Sequence, residues 1–275
     1  MNKKLKREKA YNEYSRLTLA NDFIFAKVMM NEKLCKKLLE VILGIKIERI
    51  EYVETQKTIF HIIKSRSVRL DVYVKDSKKT VYNIEMQTTN TRNLPKRSRY
   101  YQGMIDLNLL KKGKDYKQLN KSYVIFICTF DVFNKGRHIY TFENYCEQDK
   151  ELCLNDEATK IFLNPYSDME DIDEELNNFL RYLVDGKPVD DFTRELDQEA
   201  TIVRENRKWR LAYMTMALKM DDVKQTALGY GFMGMLNLEK KHNPHITLDD
   251  FYNFVSQQKG YENISKEIVE EIFYE

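Results

Sequence analysis

Apolar and polar residues alternate strictly along Val68-Arg69-Leu70-Asp71-Val72-Tyr73-Val74. Strand side chains point alternately to opposite faces, so Val68, Leu70, Val72 and Val74 share one side and Arg69, Asp71 and Tyr73 the other. The run Val81-Tyr82-Asn83-Ile84-Glu85-Met86-Gln87 repeats the pattern, with Tyr82, Ile84 and Met86 on an apolar face and Asn83, Glu85 and Gln87 on a polar one. Only Lys75-Asp76-Ser77-Lys78-Lys79 separates the two runs, which predicts a hairpin with a short loop. Asp71 and Glu85 then project from the same side of a sheet. A half-solvated sheet shows the same alternation, so the pattern alone leaves a functional and a purely structural reading open.

Capping signals and helical spacing frame this hairpin. A polar segment to about Arg16 opens the chain. Leu17 to Met30 reads as the first ordered helix, with Thr18 or Asn21 as its cap. Asn31 to Leu43 reads as the second, stopped by Gly44 at a position glycine favours. Ile47 to Glu54 alternates as a strand. Pro95 opens a helix to about Lys112, closed by Gly113. The apolar run from Lys121 to Phe130 predicts a buried central strand, and Ile139 to Phe142 and Lys160 to Leu163 further strands. Asp168 to Val184 carries Ile172, Leu176, Phe179, Leu180 and Leu183 at helical spacing. After the break at Gly186 and Pro188 the chain reads as helical: Asp190 to Met220, Asp222 to Lys241, and shorter pieces capped by Thr247 and Ser265. This order predicts an α/β core with a central mixed sheet flanked by helices over residues 1–185, and a helical C-terminal extension over 186–275. The extension could dimerise the chain, bind DNA or brace the core.

Composition narrows the classes. The 275 residues suffice for one large domain or a domain with an extension. A net charge of +2 gives no global basic field, so a nucleic-acid partner has to rest on local clusters. These are Lys3-Lys4-Leu5-Lys6-Arg7, Lys96-Arg97-Ser98-Arg99 and Arg204 to Arg210. Cys35, Cys128, Cys146 and Cys153 lack CxxC spacing, which argues against a disulfide framework and for the cytoplasm. No apolar run approaches the roughly 20 residues that span a bilayer, and no apolar stretch follows the charged start as in a signal peptide. There is no Gly-rich phosphate loop and no Gly-x-Ser-x-Gly. Pro244 within His242-Asn243-Pro244-His245 prevents the same-face histidine pair of a zinc helix. His61 and His138 are isolated and read as structural.

Two carboxylates held close together are a ligand pair for a hard cation such as Mg²⁺. The order of motifs sharpens that reading. Asn21-Asp22-Phe23-Ile24-Phe25-Ala26-Lys27-Val28 comes first, then Leu38-Leu39-Glu40-Val41-Ile42-Leu43-Gly44. Arg69-Leu70-Asp71-Val72 and Asn83-Ile84-Glu85-Met86-Gln87 follow, then Arg97-Ser98-Arg99-Tyr100-Tyr101 and Gly113-Lys114-Asp115-Tyr116. This ordered set resembles the PD-(D/E)XK nuclease family transposases, also called recombination-promoting nucleases. The resemblance covers more than half of the chain and ends near Asp185.

The resemblance implies a restriction-endonuclease-like core and metal-dependent DNA cleavage. Asp71 and Glu85 would hold Mg²⁺, for which Mn²⁺ can substitute, with the backbone carbonyl of Met86 as a further ligand. Asp22 is either a further acid facing the metal or an acid favoured by the helix dipole. Gln87 stands where the superfamily usually has lysine; its amide cannot act as a base at neutral pH but can hydrogen-bond the attacking water. Arg97 and Tyr101, four residues apart, share a helix face that the resemblance turns toward the hairpin. Arg97 could grip a phosphate bidentately, and Tyr101 could hydrogen-bond, stack or pack in the core. Lys27, Lys96 and Arg99 are further candidate DNA contacts. The expected function is a DNA endonuclease of mobile elements, with DNA as partner, no membrane association, and a homodimer through the C-terminal helices. The alternative is a catalytically inactive nuclease fold that binds nucleic acid or a protein partner.

Overall fold

The computed structural model describes residues 3–59, 68–243, 245–258 and 266–273. His61 and Ser265 lie outside the described residues, as does Pro244. Six strands make one sheet: β1 (Ile50–Ile59), β2 (Val68–Asp76), β3 (Val81–Gln87), β4 (Ser122–Cys128), β5 (Ile139–Phe142) and β6 (Ala158–Leu163). Their order is β1-β2-β3-β4-β6-β5. The first three strands pair antiparallel, β3, β4 and β6 run parallel, and β5 closes the far edge antiparallel to β6. The sheet is therefore mixed, with the expected apolar strand β4 at its centre.

The β2–β3 hairpin is set by Asp76. Its Oδ1 accepts the amides of Lys78 and Thr80 at 2.9 and 2.8 Å, and its Oδ2 accepts the Tyr82 hydroxyl at 2.8 Å. A turn fixed this way fixes the register, and with it which side chains share a face.

Helices cover both sides. The chain opens with α1 (Lys3–Tyr14). On one side of the sheet α2 (Asp22–Val28) and α3 (Glu32–Leu43) bury Ile24, Phe25, Leu38 and Leu39, and α2 packs on β3 and on α6 (Asp191–Glu205). On the other, Leu94, Tyr101, Met104 and Ile105 of α4 (Leu94–Leu109) join Val124, Phe126 and Cys128 of β4 in one core cluster. Phe126 stacks on Phe162 of β6 with ring centroids 5.3 Å apart. Pro95 sits in the first turn of α4, where its missing N–H costs nothing.

Several boundaries differ from expectation, each for a local reason. The helix expected over Leu17 to Met30 begins only at Asp22, because the Asn21 side chain accepts the amides of Phe23 and Ile24 and so starts the helix there. β1 spans Ile50–Ile59, later than the expected Ile47 to Glu54. α5 (Glu174–Asp185) starts after Asp168 because Asp173 caps it, and Gly186 ends it in the left-handed conformation. The helix expected from Asp190 to Met220 breaks at Asn206, whose side chain accepts the amides of Lys208 and Trp209 and starts α7 (Arg207–His242). α7 then runs through the expected break at Met220. The polar face of β3 is not solvated: every residue from Val81 to Met86 is buried.

The chain divides into two compact units. Glu13–Arg210 holds the sheet and includes α6, which packs on α2, α3 and α5. The other comprises Met1–Asn12 and Leu211–Glu275, where α8 (Leu248–Ser256) and α9 (Lys266–Phe273) contribute Phe251, Val255 and Val269 to a small core with Leu236 of α7. Thr247 and Asp250 form a capping box at the start of α8. Among the described residues no helix is long and apolar enough to cross a membrane.

Because the Asn21 side chain accepts two amides at the start of α2, Asn21→Ala is expected to lower stability by about 1 kcal/mol. A shifted urea midpoint with an unchanged slope is the readout; an unmoved midpoint would mean that packing, not the cap, fixes the start of α2.

Candidate active site

Strand register builds the site. β2 and β3 pair with Val72 opposite Ile84 and Tyr73 opposite Asn83, so the next position sets Asp71 opposite Glu85. β1 and β2 pair with Thr55 opposite Val72 and Lys57 opposite Leu70, which sets Gln56 opposite Asp71. On the other side Glu85 lies beside Phe126 of β4. One row across four strands therefore reads Gln56, Asp71, Glu85, Phe126.

The two carboxylates interlock through the backbone. Asp71 donates its amide to Glu85 Oε1 at 3.1 Å, and Met86 donates its amide to Asp71 Oδ2 at 3.2 Å. Gln56 Nε2 donates to Asp71 Oδ1 at 3.4 Å. α4 closes the site from above. Arg97 donates from Nη2 to Glu85 Oε2 at 3.2 Å, from Nη1 to Gln87 Oε1 at 2.9 Å, and from Nε to the Tyr101 hydroxyl at 3.0 Å. Its guanidinium lies 5.2 and 5.4 Å from the ring centroids of Tyr101 and Phe126, so an aromatic shelf supports the charge. Gln87 Nε2 donates to the Met86 carbonyl at 2.8 Å.

Glu85 is 1% exposed. Burial raises the proton affinity of both carboxyls. The charge of Asp22 raises Asp71 further, and that of Asp71 raises Glu85 further. The Met86 amide, Arg97 and Gln56 oppose the shift at Asp71; the Asp71 amide and Arg97 oppose it at Glu85. Burial and the Glu85 charge push the Tyr101 hydroxyl up to about 12, so it stays protonated beside Arg97. Asn83 lies close enough to favour ionised Glu85, yet neither its Nδ2 nor its Oδ1 makes a hydrogen bond of ordinary geometry.

The fold thus joins Asp71, Glu85, Met86, Gln87, Arg97 and Tyr101 in one bonded cluster and brings the charge of Asp22 within reach of Asp71. Lys27 lies on α2 with its ammonium 5.6 Å from the Phe23 ring centroid and 4.3 Å from that of Trp209. Lys96 and Arg99 are exposed on α4 at either side of Arg97. Tyr101 is buried in the core cluster, the packing alternative of its sequence reading, while its hydroxyl still meets Arg97. His138 is bound to Asp171, with Nδ1 2.8 Å from Oδ1. Sequence reasoning gave no role to Gln56, Asn83 or Phe126. Gln56 and Phe126 are marked only by their register against the hairpin, which is set by long-range pairing, and Asn83 only by its place on the polar face of β3.

Among the described residues no three His, Cys, Asp or Glu are grouped to cage a metal. A carboxylate pair next to a backbone carbonyl is instead the partial oxygen set with which Mg²⁺ binds, its remaining positions filled by water and substrate phosphate. One guanidinium against the charges of Asp71, Glu85 and nearby Asp22 leaves the site short of positive charge, which fits a divalent cation.

A family model described as PD-(D/E)XK nuclease family transposase matches residues 19–185. The chain belongs to this family. Neither the curated proteins nor the solved structures gave a match. The matched span contains the whole PD-(D/E)XK sheet and the carboxylate pair with Gln87 and Arg97. Family membership makes hydrolysis of nucleic acid the class of activity, and PD-(D/E)XK nucleases generally use divalent metals.

The raised proton affinities carry a pH signature. A carboxyl whose folded pKa lies above its unfolded value, about 4, favours folding when protonated. That contribution is complete below the unfolded value and is lost as pH rises through the folded one. Without added metal, the urea midpoint of the wild type should therefore fall between pH 4 and pH 8. Glu85→Gln should flatten the fall and gain more than about 1 kcal/mol at pH 8, each tenfold change in proton affinity being worth about 1.4 kcal/mol. Parallel profiles for the two proteins would show that Glu85 is ionised at no cost.

Proposed function

We propose that the protein is a divalent-metal-dependent DNA endonuclease acting in the transposition or recombination of mobile elements. The observation that carries this reading is the in-register pair Asp71 and Glu85, the first half-buried and the second fully buried, with Gln87 and Arg97 bonded beside it. Mg²⁺, replaceable by Mn²⁺, would be held by Asp71, Glu85 and the Met86 carbonyl, with Asp22 as a further acid. Such an ion supplies Lewis acidity and an activated water at the scissile phosphate.

The chain's own groups prepare that step. Gln87 has one amide hydrogen on the Met86 carbonyl and a second to orient the attacking water. It lacks the charge of the lysine usual at that position, and Arg97 brings that charge to it at 2.9 Å. Of the five N–H groups of a guanidinium, three serve Glu85, Gln87 and Tyr101, which leaves two for a phosphate oxygen. Tyr101 acts by fixing Arg97. Lys96 and Arg99, exposed beside Arg97, and Lys27 on α2 would meet the DNA backbone, where cations position the duplex without reading its sequence. In this reading the protein works in the cytoplasm, and a homodimer through the C-terminal helices supplies the second site that a double-strand cut needs.

Plasmid nicking in Mg²⁺ or Mn²⁺ tests the proposal. Glu85→Gln should reduce nicking by more than about 100-fold, and Arg97→Ala by about 10²–10³-fold, as for other preorganised electrostatic groups. Adding Gln87→Lys to Arg97→Ala should recover part of the loss. Equal cleavage by wild type and Glu85→Gln would remove the chemistry from this hairpin. A wild type that binds DNA but leaves it intact under both metals would favour the inactive binding module.

A further inference from the structure

Gln56 breaks the backbone rule of its strand. Its φ is +59°, in the left-handed region that residues other than glycine seldom occupy. The pairing around it does not slip: Val53, Glu54 and Thr55 face Val74, Tyr73 and Val72, and Lys57 faces Leu70 in the same register. The distortion is therefore no inserted residue of a bulge. The residue that carries it stands opposite Asp71, and its side chain donates from Nε2 to Asp71 Oδ1 at 3.4 Å. With the Met86 amide on Oδ2, both oxygens of Asp71 are then held by donors from the strands on either side.

The choice of donor matters. A lysine here would neutralise the carboxylate, whereas an amide orients it and leaves its charge in place. The neighbouring cation is directed elsewhere: Lys57 Nζ pairs with Glu54 at 2.9 Å and lies 4.2 Å from the Tyr73 ring centroid. Costly backbone conformations persist where surrounding structure enforces them, and they concentrate at working sites.

We infer that Gln56 is a positioning residue that turns the Asp71 carboxylate toward a divalent cation. This role rests on the endonuclease reading above and deepens it. Groups that orient a metal ligand typically contribute 10–100-fold to metal affinity.

The test is Mg²⁺ titration calorimetry on the wild-type chain and on Gln56→Gly, with thermal melts of both and with nicking measured against Mg²⁺ concentration. Glycine accepts the left-handed conformation freely, so the melting temperature should hold or rise while Mg²⁺ affinity falls 10–100-fold. The Mg²⁺ concentration for half-maximal nicking should rise by the same factor, with the KM for DNA unchanged. If Gln56→Gly loses its cooperative melt, Gln56→Asn takes its place: asparagine also tolerates this conformation, and its shorter side chain should produce the same loss. A folded variant with wild-type Mg²⁺ affinity overturns the role of Gln56 and leaves the endonuclease reading intact. A wild-type chain that neither binds Mg²⁺ nor nicks DNA overturns both.

Discussion

The pairing of β2 with β3 places two carboxylates opposite each other where water is excluded, and the rest of the site answers that constraint. Glu85 is almost wholly buried and Asp71 partly so; burial raises the cost of ionising both, Asp22 adds to it at Asp71, and Asp71 adds to it at Glu85. Charges taken from water need hydrogen bonds and a counter-charge to persist. The sheet supplies the first through the amides of Asp71 and Met86. α4 supplies the second through Arg97, which is itself steadied by Tyr101 and the Phe126 shelf. The compensation is incomplete by design of the numbers: one guanidinium faces a carboxylate pair with Asp22 nearby. That residual negative charge is what the proposed divalent cation would offset.

The same constraint explains how a glutamine can stand where the superfamily usually carries lysine. A lysine at Gln87 would bring a charge on the strand itself. Here the strand residue is neutral and the charge arrives from α4, at hydrogen-bond distance. In the proposed reading the pair divides two duties, orientation and charge, between residues ten positions apart. The hydrogen bond also ties the candidate site to the seating of α4, so side chains such as Met104 and Ile105 that dock this helix on β4 bear on its geometry.

The sequence made the hairpin, the central strand and most helix ends legible, because those depend on neighbours in the chain. The period-two runs of β2 and β3 and the caps at Asn31, Gly44 and Thr247 stand where the residues put them. The motif resemblance reached further and brought Asp71, Glu85, Gln87 and Arg97 into one reading. What local pattern could not reach were consequences of distant pairing. Asn83, Glu85 and Gln87 look like a solvated face until α4, which begins at Leu94, covers them. Gln56 looks like one more polar residue of an edge strand until the register of β1 brings it to Asp71. Asn206 shows the opposite limit: a single side chain that accepts two amides overrode a helical pattern that continued on both sides.

Three features that weaken a fold meet along this strip of sheet. Glu85 is an acid without water, Gln56 occupies a left-handed backbone in a strand, and Asn83 is fully buried with neither polar side-chain atom hydrogen-bonded. A buried polar group without a partner costs on the order of 1–3 kcal/mol, and a left-handed non-glycine residue a comparable amount. Such costs scattered over a protein would suggest indifferent packing. Gathered on β1 and β3, on either side of Asp71 and beside a β4 core that is apolar and closely stacked, they indicate that this strip is held to a geometry other than the most stable one.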